Sequence, residues 1–124
     1  MRAEELKGHL DAMLLAALEG GPRHGYAVIE ALRQSTDGRL DLPTGTIYPA
    51  LRRLEQAGLI AGTWSVVGGR RRREYRLTPA GIRALSGRRA AWQDFSAVVT
   101  AALESATRVN AALEDTACPS PNPA

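Results

Sequence analysis

The chain has a single cysteine, Cys118, among its 124 residues. One cysteine closes no internal disulfide and builds no cysteine-based zinc site, and it fits a reducing cytoplasm. Lysine is equally scarce: Lys7 stands alone among 16 basic residues. Codon bias in a GC-rich genome explains that as well as selection for guanidinium chemistry does. No apolar run approaches the ~20 residues of a membrane-spanning helix, so no membrane partner is expected. Met1–Gly8 carries both charge signs and no signal-type apolar core, so secretion is not expected either. There is no metal-ligand cluster, no Gly-rich phosphate loop ahead of a helix and no Ser/His/Asp set. His9 and His24 stand apart from other ligand types, and Cys118 lies in a Pro-rich tail without basic neighbours to activate it. Neither metal nor cofactor nor enzymatic activity is expected.

What is present is an ordinary globular balance, with 44% hydrophobic and 23% charged residues. The length suits one compact domain with a helical extension. The net charge of +3 hides an asymmetry. Residues 1–51 sum to −2, residues 52–89 to +8, and residues 90–124 to −3. A basic centre between acidic flanks points to a local polyanion-binding surface.

Periodicity predicts five elements. A first helix near Gly8–Glu19 lines up Leu10, Met13, Leu14, Ala17 and Leu18 on one face and stops at Gly20-Gly21-Pro22. A second, near Gly25–Ser35, places Tyr26, Ile29 and Leu32 together, with Glu30 and Arg33 outward and a turn at Asp37-Gly38. A third runs from about Thr44 to Ala57, buries Ile47, Leu51 and Leu54, and ends where left-handed Gly58 lets Leu59 fold back on Leu54. A hairpin follows, turning on Gly68-Gly69, with Val67 opposite Arg70, Trp64 opposite Arg73 and Ile60 opposite Leu77. Tyr75 and Leu77 are expected in the core and Trp64 under the hairpin. A long final helix starts with Thr78 as N-cap and Pro79 as first residue, and Leu77 and Ile82 are spaced as a hydrophobic staple. Its apolar positions are Ile82, Leu85, Trp92, Phe95, Val99 and Leu103 or Ala102. Gly87 interrupts the pattern, which fades after Leu113.

Three helices followed by a hairpin give a fold that is mainly α with a small β-hairpin: a winged helix-turn-helix over residues 1–78. A C-terminal dimerisation helix is expected over 79–114, and a disordered tail over 115–124. In that architecture the third helix enters the DNA major groove. Opposite its apolar stripe lie Gly45, Pro49, Arg52, Arg53 and Gln56, with Thr46 on the rim. Small residues at its start let it approach DNA, with amides and helix dipole toward phosphate. A solvated basic face is the alternative. The run Arg70-Arg71-Arg72-Arg73 at the hairpin tip repels itself, and a polyanion relieves that repulsion. Charge that blocks edge-strand aggregation is the alternative there. His24 is placed to hydrogen-bond near the turn or a phosphate. A winged helix that binds another protein, without specific DNA binding, is the rival reading of the whole chain.

The stretch from Leu42 to Ile60, with its G-T-I-Y-P and R-L-E runs, resembles the signature of PadR-family transcriptional regulators. So do Gly69 to Gly81, with Y-R-L-T-P, and the His24-Gly25-Tyr26 opening of the second helix. The resemblance covers roughly residues 6–106 and is to the short subgroup with one long C-terminal helix. It implies a homodimeric bacterial repressor whose winged helices bind an inverted-repeat operator in double-stranded DNA, with the C-terminal helix swapped across the dimer. It places Tyr26, Thr44, Thr46, Tyr48, Arg52 and Arg53 at or near DNA, and Gly69, Arg70, Arg71, Arg72 and Arg73 in the wing contact. The apolar stripe Ile82, Leu85, Trp92, Phe95, Val99 and Leu103, which a winged helix of this size cannot cover, is expected to bury the dimer seam, with the first helix as a further contributor. In similar short members a tryptophan on the final helix stacks flat aromatic drugs, so Trp92 is either a site for a small aromatic or drug-like effector or an ordinary interface aromatic.

Overall fold

The structure is a computed structural model that describes the backbone of residues 8–117 and the side chains of residues 8–105. The element order is α1 (Leu10–Ala17), β1 (Arg23–His24), α2 (Gly25–Ser35), α3 (Thr44–Gln56), β2 (Ile60–Val67), β3 (Arg70–Leu77) and α4 (Pro79–Ala117). One unit runs to Arg88 and holds the winged helix with the start of α4; the described remainder of α4 belongs to a second unit. The boundary lies inside the helix, past the expected division at residue 78, because Ala84 and Leu85 still pack on the winged-helix core.

That core is built from Leu14, Leu15 and Leu18 of α1, Val28, Ile29 and Leu32 of α2, and Ile47, Ala50, Leu51 and Leu54 of α3. Leu40, Leu42, Ile60, Tyr75 and Leu85 close it. Two sequence expectations change. Leu15, absent from the single stripe expected for the first helix, is fully buried because α1 packs against both α2 and α3 and so covers a wider arc. Tyr26 is 59% exposed rather than on the buried face. The phase of α2 is set by Gly25, Val28, Ile29 and Leu32, at i, i+3, i+4 and i+7, which turns Tyr26 outward.

Helix α3 ends as its sequence requires. Gly58 takes φ +77°, the Gly58 amide donates to the Glu55 carbonyl at 3.0 Å, and the Leu59 amide donates to the Leu54 carbonyl at 3.0 Å. These are the two bonds of a Schellman stop, and Leu59 packs on the core beside it. From there the chain enters β2.

The β2–β3 register is the expected one, from Ile60 opposite Leu77 to Val67 opposite Arg70. Gly68 and Gly69 both take positive φ, 58° and 79°, in a two-residue turn that matches the strand twist. The hairpin is not alone, however. β1 pairs with β3 through Arg23 opposite Tyr75 and His24 opposite Glu74, giving a three-stranded antiparallel sheet in the order β1-β3-β2. A two-residue strand is too short to show alternation in a sequence. Arg23 Nε also donates to the Ala17 carbonyl at 2.8 Å, fastening β1 to the end of α1.

At the start of α4, Thr78 Oγ1 accepts from the Gly81 amide at 3.0 Å and donates to the Gly58 carbonyl at 2.6 Å. One hydroxyl thus caps α4 and ties it to the stop of α3. Of the two staple residues, Leu77 packs on the core and Ile82 is 58% exposed. Leu85, assigned to the seam, is instead 4% exposed within the winged-helix core, since it lies about two turns after the cap that docks α4 there. The helix extends to Ala117, three residues beyond the expected end. The remainder of the expected tail, with Cys118, lies outside the described residues. Among the described residues no helix is long and apolar enough to cross a membrane, and no cluster could hold a metal ion.

Candidate nucleic-acid interface

Helix α3 presents Thr44, Gly45, Tyr48, Pro49, Arg52, Arg53 and Gln56 to solvent, with Thr46 half-buried on the rim. This is the face opposite Ile47, Ala50, Leu51 and Leu54. Pro43 occupies the N-cap without a side-chain acceptor, and the space around Gly45 is open for at least 4 Å. The helix start is therefore unobstructed. Arg53 is 60% exposed and has Asp11 of α1 at 3.6 Å.

Tyr48 leans toward α2. Its ring lies over Gly25, where any Cβ would collide with it. That contact explains why a glycine stands between His24 and Tyr26. It also leaves Tyr48 40% exposed at the floor of a groove.

The groove, of about 710 Å³, runs between the two helices and the wing. β1 contributes His24, α2 contributes Gly25 and Tyr26, α3 contributes Tyr48, Arg52 and Glu55, and the wing contributes Trp64, Arg71, Arg72, Arg73 and Tyr75. Six of the predicted DNA residues thus come together: Tyr26, Tyr48, Arg52, Arg71, Arg72 and Arg73. The others, Thr44, Thr46, Arg53, Gly69 and Arg70, do not line it; Gly69 and Arg70 belong to the wing tip.

Trp64 does not pack under the hairpin as expected. It is 58% exposed, and the guanidiniums of Arg71 and Arg73 lie over its ring at 4.6 and 5.3 Å from the centroid. The indole face offers these cations a π-surface that leaves their donors available. Cross-strand pairing puts Trp64 on the face of Arg73 and Arg71, so the register already implies this contact.

Arg73 makes an ion pair with Glu55, and its Nε also donates to Glu55 Oε1 at 3.4 Å. The Glu55 hydrogen bond holds the Arg73 guanidinium still more firmly protonated than usual. Tyr75 is pushed above the usual phenol range, first by burial and then by the Glu55 charge. Glu55 is not among the residues singled out from the sequence, although its place three residues after Arg52 puts it on the same helix face.

His24 also lies outside the predicted DNA set. Its Nδ1 accepts from the Ala27 amide at 3.3 Å, capping α2, while its Nε2 lies 3.1 Å from an Arg72 guanidinium nitrogen. A neutral imidazole has one acceptor nitrogen, so the ring satisfies one of these donors at a time.

On α4, Trp92, Phe95, Val99 and Leu103 are exposed along one side of the helix, with Trp92 and Phe95 centroids 6.0 Å apart. Val98 is exposed as well, off that stripe.

Comparisons with known proteins bear on this arrangement. Residues 14–87 match the family described as the transcriptional regulator PadR-like family. Transcriptional regulator Rv3488 of Mycobacterium tuberculosis is 42% identical over 74 residues, covering 60% of this chain and 56% of that protein. The match therefore spans little more than half of that relative. Among solved structures, a PadR family transcriptional regulator from Eggerthella lenta is 34% identical, with a TM-score of 0.70 over 82% of this chain and 87% of that one. A transcriptional regulator from Clostridium thermocellum superposes with a TM-score of 0.73 at 28% identity, over 79% of this chain and 96% of that one. The matched segment spans the winged helix from α1 into α4, and the chain belongs to the PadR-like family, a family of transcriptional regulators rather than enzymes.

Proposed function

We propose that this chain is a cytoplasmic, homodimeric repressor that binds an inverted-repeat operator. Each protomer offers α3 to the major groove of one half-site and its wing to the adjacent backbone, with half-sites about one helical turn apart. The observation that carries the reading is the groove between α2, α3 and the wing, which brings Arg52 of α3 together with exposed Arg71 and Arg72 of the wing. Thr44, Gly45 and Thr46 bring the helix amides and the positive end of its dipole to phosphate. Arg52 reaches a phosphate or a guanine edge, and Arg70 to Arg72 neutralise backbone charge.

The apolar stripe of Trp92, Phe95, Val99 and Leu103 supports dimerisation, since exposed apolar side chains of this size at helical spacing fit a helix seam. The Trp92–Phe95 pair also favours a refinement in which a planar aromatic effector stacks there and releases DNA. Trp64→Phe leaves Trp92 as the sole tryptophan, so quenching by planar cations or phenolic acids in that variant reports the site directly.

The deciding experiment is fluorescence anisotropy with the DNA upstream of the chain's own gene against scrambled DNA at two salt concentrations. Tighter saturable binding to the native fragment that persists at the higher salt supports an autoregulating repressor. Equal binding to both fragments that salt erases leaves only a basic wing meeting phosphate, and the protein-interaction reading then gains.

A further inference from the structure

The four arginines of the wing are equivalent in the sequence, but they are not equivalent in the fold. Arg70, Arg71 and Arg72 are exposed, whereas Arg73 reaches back to α3. The geometry points to Arg73 as a positioning residue that clamps the wing to the recognition helix through Glu55, rather than as a contact to DNA. This rests on the DNA-binding reading for its consequence, but the clamp itself is a property of the free protein.

Three observations converge on the clamp. First, both carboxylate oxygens of Glu55 face the Arg73 fork, with Nη2 on Oε2 and Nε 3.4 Å from Oε1. The two side chains are only 30% and 27% exposed, so the pair is shielded more than an ordinary surface pair. Second, the path of the arginine is built. A Cβ at Gly62, diagonally across the ladder, would stand 2.7 Å from Arg73 Nε, and the Trp64 ring flanks the guanidinium. A side chain at 62 would displace the guanidinium from this path across β2 toward α3. Third, the wing needs such a tie. β1 supports β3 only at Tyr75 and Glu74, so from Arg73 outward β3 pairs with β2 alone among the described residues. A two-stranded ribbon is marginal on its own. Arg73 is the first residue beyond that support.

The charge pattern fits. Glu55 is a carboxylate in a groove that otherwise gathers arginines. Left unpaired it would repel phosphate; paired, it fixes the angle between wing and α3 and so the span between groove and backbone contacts. Binding then gains from pre-organisation rather than from a further bond to phosphate.

Salt dependence separates the two roles. Each phosphate that the protein neutralises adds about 0.9 to the steepness of log K against log salt. Arg71→Gln is expected to weaken DNA binding and to make the slope shallower by about 0.9. Arg73→Gln is expected to weaken binding several-fold with the slope unchanged. Arg73→Lys, which keeps the charge but not the fork, is expected to behave like Arg73→Gln. In the free protein, hydrogen exchange at residues 62–67 and 70–73 should quicken to the same extent in Glu55→Gln and Arg73→Gln, and no further in the double variant. A slope as shallow in Arg73→Gln as in Arg71→Gln, with wing exchange unchanged, overturns the clamp. If the unaltered chain binds no DNA specifically, the repressor reading fails, and the exchange experiment decides the clamp alone.

Discussion

Asp37 is the only non-glycine residue with a positive φ, 53°, among the described residues. It sits at the left-handed position that ends α2, where its amide donates to the Gln34 carbonyl and the Gly38 amide donates to the Arg33 carbonyl at 2.8 Å. Aspartate tolerates this conformation better than most residues, but the Cβ still costs free energy there. Asp37→Gly is expected to stabilise the fold by about 0.5–1 kcal/mol, after the added entropy of the unfolded chain is deducted. Urea unfolding checks it, and a destabilised variant would show that the carboxylate has a role of its own. Tyr75 gives the pH dependence. Its folded-state proton is held more tightly than in the unfolded chain, because burial and Glu55 disfavour the phenolate. That contribution is complete below the ordinary phenol value of about 10 and is lost as pH rises through the higher folded value. Stability should therefore fall above about pH 10, and Tyr75→Phe should flatten that decline in thermal melts. Identical alkaline limbs in the two proteins would assign the loss to another group.

At the scale of elements, the close approach of α2 and α3 is set where Tyr48 lies over Gly25. The atoms that a Cβ would meet are at the far end of a half-exposed ring, so Gly25→Ala displaces Tyr48 rather than the helices. The stability change should stay within about 1 kcal/mol. DNA affinity, by contrast, should drop several-fold, because the displaced phenol changes the floor of the groove between α2, α3 and the wing. Unfolding and anisotropy on the same preparation check both; unchanged affinity would place Tyr48 outside the interface. The elements themselves are largely legible in the sequence. Spacing alone locates α2, α3 and the hairpin register, because amphipathic period, glycine turns and Schellman chemistry are local. β1 is not legible, since a two-residue strand exists only through its pairing with β3. On α2, Ile29 and Leu32 are buried as expected, but Gly25 and Val28 take the place expected for Tyr26, whose apolar ring turns outward.

For the whole molecule, Trp92, Phe95, Val99 and Leu103 form an exposed apolar stripe on α4. Under the dimer reading, Val99→Asp buries an uncompensated charge in the seam and should yield a monomer. Operator binding should fall with it, because two half-sites are no longer held together. Light scattering and anisotropy on one preparation measure both. A variant that remains dimeric would move the seam elsewhere. Leu85→Ala should behave differently. It removes a buried core side chain and should cost about 2–5 kcal/mol of stability in urea unfolding rather than split a dimer.

The helices, the register of the wing, the basic centre and the family are all readable along the chain, because each depends on residues near one another in it. Tertiary structure decided what identical residues do. Four adjacent arginines divide into three exposed and one tied to Glu55, and two leucines of one periodic pattern can part company, as Leu85 enters the core while Leu103 stays exposed. The reason is physical: a side chain's role follows from the charge and volume facing it, and those come from residues distant in the chain. Glu55 and Arg73 stand on different elements, and only the fold brings the carboxylate within reach of the guanidinium.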